Sequence, residues 1–109
     1  MTDQIVVLCT CGNPADAARM ARGLVEAHLA ACVSVAPEVK SYYRWKGVIE
    51  ESAELLLVIK TSRDLFEKLR LWIEKEHPYD VPEVIALPIV DGAPNYLNWL
   101  RDQLAARSG

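Results

Sequence analysis

No apolar run in the 109-residue chain approaches the ~20 residues that a membrane-spanning helix needs. A surplus of basic charge is missing too. Twelve Lys and Arg against fifteen Asp and Glu leave a formal net charge of -3, which supplies no basic field for holding phosphates, so no nucleic-acid partner is expected. Cysteine is scarce and odd in number. Three cysteines cannot all pair, and Met1-Thr2-Asp3-Gln4 has no basic region of a secretory signal. The expectation is free thiols in a reducing, cytoplasmic compartment. None of the three stands at the close Cys/His spacing of a structural zinc site. Also lacking are a glycine-rich phosphate loop, a Ser-His-Asp set and a paired-carboxylate acid/base site, so no enzymatic reaction is expected. No repeat, low-complexity tract or linker divides the sequence, and its length suits one domain over residues 1–109.

What the chain does have is hydrophobic residues, 51% of the total, arranged in strand and helix periods. Residues 31–61 hold two β-rich runs joined by Lys46-Gly47, and a two-residue loop with Gly marks a hairpin. The loop sets the register: Trp45 faces Val48, Tyr43 faces Glu50 and Ser41 faces Ser52, with Tyr43 and Trp45 on one face. Arms of roughly fifteen residues make a ribbon of about 50 Å, longer than the roughly 35 Å diameter of a domain this size. Pro37 cannot donate to a ladder, so a bulge is expected there.

Upstream, residues 5–11 form a β-branched apolar run, read as a central strand. Asn13, Pro14 and Asp16 then open a helix whose stripe is Ala17, Ala21, Leu24, Val25, His28 and Leu29. Gly23 within it hints at tight packing. Downstream, Thr61 and Asp64 stand at capping-box spacing before a second helical stripe of Leu65, Phe66, Leu69, Trp72 and Ile73. Pro78 stops that helix and puts His77 at its end. Residues 83–90 read as an edge strand, and Tyr96, Leu97, Leu100 and Leu104 as a last short helix.

This order, βαββαβ plus a terminal helix, is the ferredoxin-like α+β pattern, an antiparallel sheet with both long helices on one face. Its strands carry apolar residues at successive positions, so the second face is apolar as well. Leaving it in water forfeits about 1.5–3 kcal/mol per large side chain. The expectation is an obligate homo-oligomer in which sheets pack on sheets and each hairpin lies over a neighbour.

Cys9 and Cys11 point to one face of the first strand, where they can act as soft ligands for Cu(I) or as small core hydrophobes. Cys32, at the start of the hairpin, has the same two readings. His77 lies near Tyr79, Asp80 and Glu83; it suits a metal ligand paired with a carboxylate, or a cation at a helix C-terminus. His28, on the helix stripe, is read as packing. Lys60 closes an apolar strand and calls for an acidic partner in Glu50, Glu54 or a neighbour's Glu83. Tyr43 and Trp45 are interface anchors. With Lys60, His77, Tyr79 and Glu83 they can also line a cleft between subunits that holds a small anion or a metal.

Several segments resemble the CutA family of divalent-cation tolerance proteins. They are Val7-Leu8-Cys9-Thr10, Leu29-Ala30-Ala31-Cys32-Val33, Tyr43-Arg44-Trp45-Lys46-Gly47, Leu56-Leu57-Val58-Ile59-Lys60-Thr61, His77-Pro78-Tyr79-Asp80-Val81-Pro82-Glu83 and Tyr96-Leu97-Asn98-Trp99-Leu100. The resemblance implies a ferredoxin-like protomer, a tight homotrimer, binding of copper or another divalent metal ion, and a role in metal tolerance. Cys32 matches a family position, while Trp72 stands where some members carry a further cysteine. An alternative is a trimeric signalling module that binds a small ligand in intersubunit clefts and regulates a partner protein.

Overall fold

The computed structural model describes residues 2–105. The first β-branched run forms strand β1 (Gln4–Cys11), followed by helix α1 (Pro14–Glu26). Asn13 caps α1 by accepting the Asp16 amide at 2.8 Å, and Pro14 takes the first turn, where its missing N–H costs nothing. Strands β2 (Cys32–Trp45) and β3 (Val48–Ser62) make the long hairpin, and β3 leads through a 3-10 turn at Arg63–Leu65 into α2 (Phe66–Glu76). Strand β4 (Ile85–Pro88) and helix α3 (Pro94–Asp102) complete the described chain. The strands form one antiparallel sheet in the order β2-β3-β1-β4, the ferredoxin-like order with β1 and β3 central.

Lys46 and Gly47 carry φ of 51° and 81°, the left-handed pair that matches the twist of a two-residue hairpin. The expected pairs Trp45/Val48, Tyr43/Glu50 and Ser41/Ser52 all form, and the register shifts between Ala36 and Val39, around Pro37. Residues 42–51 are exposed on both strands. The ribbon runs out past the core and stretches the chain to 46 Å in its longest dimension.

Helix packing covers one face of the sheet. Ile5, Val7, Cys9, Cys11, Leu57 and Ile59 are buried there beneath Met20 and Leu24 of α1 and Leu69 and Ile73 of α2. On the opposite face Val6, Leu8, Leu56 and Val58 are only half-buried, and Ile85 and Leu87 of β4 are 52% and 46% exposed. Helix α1 meets α2 at a close contact: a Cβ on Gly23 would lie 2.7 and 2.8 Å from ring carbons of Trp72.

Four local expectations change. Helix α1 ends at Glu26, so Val25 is exposed and Met20 joins the buried stripe in place of His28. His28 turns left-handed at φ 58°; its Nδ1 donates to the Gln103 carbonyl at 3.0 Å, and its own carbonyl accepts from the Ala105 amide at 2.9 Å. Thr61 does not cap α2, because β3 continues through it and its hydroxyl donates to the buried Leu29 carbonyl at 2.7 Å. Strand β4 spans four residues rather than 83–90, with β1 on one side only.

The Gly23 contact generates a sign test. Gly23→Ala gains helix propensity of up to ~1 kcal/mol but drives a methyl group into the indole, at a cost of about 1–3 kcal/mol. Chemical denaturation should show Gly23→Ala destabilising in the native background and stabilising when Trp72 is already Ala. The same sign in both backgrounds contradicts the contact.

Candidate metal centre and adjoining cleft

Period-two alternation along β1 turns Cys9 and Cys11 toward the helices, where both are fully buried. His77 reaches them because Pro78 stops α2. The His77 amide still closes the last helical bond, to the Ile73 carbonyl at 2.8 Å, while its backbone leaves the helix at φ -79°, ψ 137°. The imidazole then lies across β1. Its Nε2–H donates to the Thr10 carbonyl at 2.8 Å, and Nδ1 accepts the Tyr79 amide at 3.1 Å. These two bonds select the neutral tautomer with the proton on Nε2. Cys11 Sγ is 3.9 Å from Nε2, and one donor atom from each of Cys9, Cys11 and His77 lies within 4.8 Å of the other two.

The two thiols are unequal. Cys11 sits below the usual thiol range because its sulfur accepts a hydrogen bond from Cys9, an effect that burial opposes. Cys9 is pushed up, first by that same bond and then by burial. Cys9 is thus the proton donor of the pair, and Cys11 the thiol that ionises first. Two sulfurs and an imidazole in mutual reach form a donor set that suits a soft ion such as Cu(I). The sulfurs are the readier ligands, since His77 Nε2 must first give up its proton and its bond to Thr10.

Cys32 lies elsewhere. It pairs in register with Lys60, which pairs with Val6 on the sheet face opposite Cys9 and Cys11. Lys60 Nζ donates to Ser34 Oγ at 3.0 Å and lies 3.7 Å from Cys32 Sγ. Among the acidic partners named for Lys60, Glu54 bonds instead to Tyr79, whose hydroxyl donates to Glu54 Oε2 at 2.8 Å.

Tyr79 separates the buried donors from a cleft of about 700 Å³. Its ring packs on His77 with centroids 4.6 Å apart. Of the residues expected to share a cleft, Tyr43, Trp45, Tyr79 and Glu83 do so within a single chain. His77 stands behind Tyr79, and Lys60 is roughly 20 Å away along β3 from Glu54 at ~3.3 Å per residue. Sequence reading missed Glu54 and Asp80 as lining residues. Sequence places Asp80 only as a neighbour of His77, and Glu54, just ahead of the apolar run of β3, only as a partner for Lys60. The Tyr79 hydroxyl is pushed above its ordinary range by burial first and by its bond to Glu54 second.

Fold and site together define an α+β protomer of the ferredoxin-like class, with a buried soft-donor cluster beside an aromatic, acidic cleft. Comparison with known proteins gives the family. The sequence pattern of "CutA1 divalent ion tolerance protein" matches residues 5–103, and the chain belongs to that family. A "Divalent-cation tolerance protein CutA" of Thermus thermophilus is 47% identical over 97 residues, covering 89% of this chain and 94% of that one. "Protein CutA" of Mus musculus is 48% identical over 91 residues, 84% of this chain and 51% of that one. Against the frog and mouse relatives the chain thus spans only 62% and 51% of their length. The solved structure of CutA1 from Oryza sativa superposes with a TM-score of 0.93 at 41% identity, covering 95% of each chain. That of the Thermus thermophilus protein gives 0.91 at 45% identity, covering 94% of this chain and 99% of that one. The family is one of metal tolerance and not of catalysis. Among the described residues no helix is long and apolar enough to cross a membrane.

The Tyr79–Glu54 bond predicts a pH signature. Glu54 is only 6% exposed, and removing the donor to a buried carboxylate costs about 1.5–3 kcal/mol. Tyr79→Phe should therefore lower stability at neutral pH. A folded-state pKa raised above the unfolded 10.0 gives stability that is present in full below about pH 10 and is lost as pH rises through the folded value. Denaturation of both proteins from pH 7 to 11 should show the wild-type advantage shrinking above pH 10; a constant or growing gap contradicts the pairing.

Proposed function

We propose that the chain serves divalent-metal tolerance as a homotrimer that takes up copper, as Cu(I), on the sulfurs of Cys9 and Cys11 with His77 as third donor. The observation that carries this reading is the convergence of three donor atoms within 4.8 Å in a buried setting. Thiolates select Cu(I) over harder ions, and loading releases the thiol protons. The names of the relatives, divalent-cation tolerance proteins, support the same setting. Reduced thiols are required, which fits a reducing compartment. Cys32, on the other sheet face, stands outside this donor set. Assembly is supported by the uncovered apolar face and the exposed hairpin, and family resemblance favours three copies over two.

A second reading draws on the cleft. Its volume of about 700 Å³ is that of a small-molecule site, and supports a trimeric module that binds a ligand and regulates a partner protein.

Competition of the reduced protein with a Cu(I) chelator tests the first reading. Cys9→Ser and Cys11→Ser should each weaken Cu(I) binding by at least about tenfold, the scale on which even the supporting groups of a metal site act. Cys32→Ser should leave it unchanged. Wild-type protein that fails to compete, or affinity indifferent to both Cys9 and Cys11, contradicts the proposed centre.

A further inference from the structure

The sequence pattern suggested a small anion or a metal for the cleft, and that suggestion depended on Lys60. The fold removes it. Lys60 points from the far end of β3 and bonds to Ser34, and among the described residues neither Lys nor Arg lines the cleft. Lys40, on the neighbouring strand, is paired with Glu51 at 3.0 Å. Three acidic residues remain, Glu54, Asp80 and Glu83, in the same lining as the aromatic residues Tyr43, Trp45 and Tyr79. An anion entering this space would meet like charge with no basic residue to offset it.

Glu54 is the most informative of the three. It is 6% exposed, and its Oε2 is held by the Tyr79 hydroxyl at 2.8 Å. Its Oε1 makes no hydrogen bond among the described residues, yet no buried side-chain oxygen among them is left without a partner. That oxygen is therefore open to the cleft. A largely buried carboxylate with one oxygen open to a cleft that also holds aromatic side chains suits a positively charged hydrogen-bond donor. The volume is far larger than one ion requires, and the walls favour an apolar body attached to the charge.

We propose that the cleft is a binding site for an organic ammonium ion with an apolar body, its charge held by Glu54 and Glu83 and its body by Tyr43, Trp45 and Tyr79. This deepens the small-ligand reading and rests on it for the existence of a ligand, though not for any signalling partner. Tyr79 fixes the Glu54 carboxylate in position, so the anchor is set before the ligand arrives.

Isothermal titration of the assembled protein with 2-phenylethylammonium, neutral 2-phenylethanol and anionic 3-phenylpropanoate tests the assignment. Saturable binding is expected for the ammonium compound alone. Glu54→Gln, which keeps the shape and an acceptor for Tyr79, should weaken it by roughly tenfold or more. Glu83→Gln, at an exposed position, should cause a smaller loss and serves if Glu54→Gln does not fold by circular dichroism. Binding of the neutral or anionic compound with equal strength overturns the ammonium assignment alone. Magnesium ion that binds and excludes the ammonium compound marks the carboxylates as an ion site and overturns it too. No binding of any probe overturns both the assignment and the small-ligand reading.

Discussion

A four-stranded sheet with apolar residues on both faces and its two long helices on only one is the constraint from which the rest follows. Cys9, Cys11, Leu57 and Ile59 are shielded by α1 and α2, while Val6, Leu8, Leu56, Val58, Ile85 and Leu87 have no comparable cover. Each large side chain left in water forgoes about 1.5–3 kcal/mol, a serious loss for a domain whose net stability is about 5–15 kcal/mol. The hairpin sharpens the imbalance. It carries Val48 and Ile49 at its tip into solvent, 58% and 66% exposed, and a bare two-stranded ribbon is marginal in water. Burial against further copies of the chain resolves both conditions at once.

The same alternation of side chains places two kinds of chemistry back to back. Along β1, Cys9 and Cys11 face the helices, while Thr10 between them lines the cleft. The Thr10 carbonyl also accepts from His77. Tyr79 joins the two sides: its amide donates to His77 Nδ1 and so selects the tautomer with the proton on Nε2, its ring packs on that imidazole, and its hydroxyl holds Glu54. A change in the cleft that moves Tyr79 thus bears on the donor set behind it, through direct contacts rather than through a long path.

Much of the fold was legible because its signals are local. Gly47 in a two-residue loop determines the hairpin pairs from Trp45/Val48 to Val39/Glu54, Pro37 marks the bulge that shifts the rest, and Asn13-Pro14 marks a helix start. Errors arose where a local pattern met a competing use of the same residue. Thr61 has capping spacing to Asp64, yet its hydroxyl is taken by Leu29 across the fold. His28 continues the helical stripe on paper, but the backbone has already turned left-handed. The site was legible in half. The Cys9/Cys11 pair is a consequence of strand period, whereas the approach of His77, 66 positions from Cys11, depends on how α2 packs. Likewise nothing near Glu54 in sequence announces Tyr79, and nothing near Lys60 shows that register carries it to the opposite end of β3 from the cleft.

Coverage of the second sheet face by identical chains is the central claim, and sedimentation equilibrium over nanomolar to micromolar concentrations tests it most directly. A single species of three times the chain mass, persisting on dilution, is the predicted result. A folded, stable species of one chain mass at micromolar concentration would contradict it.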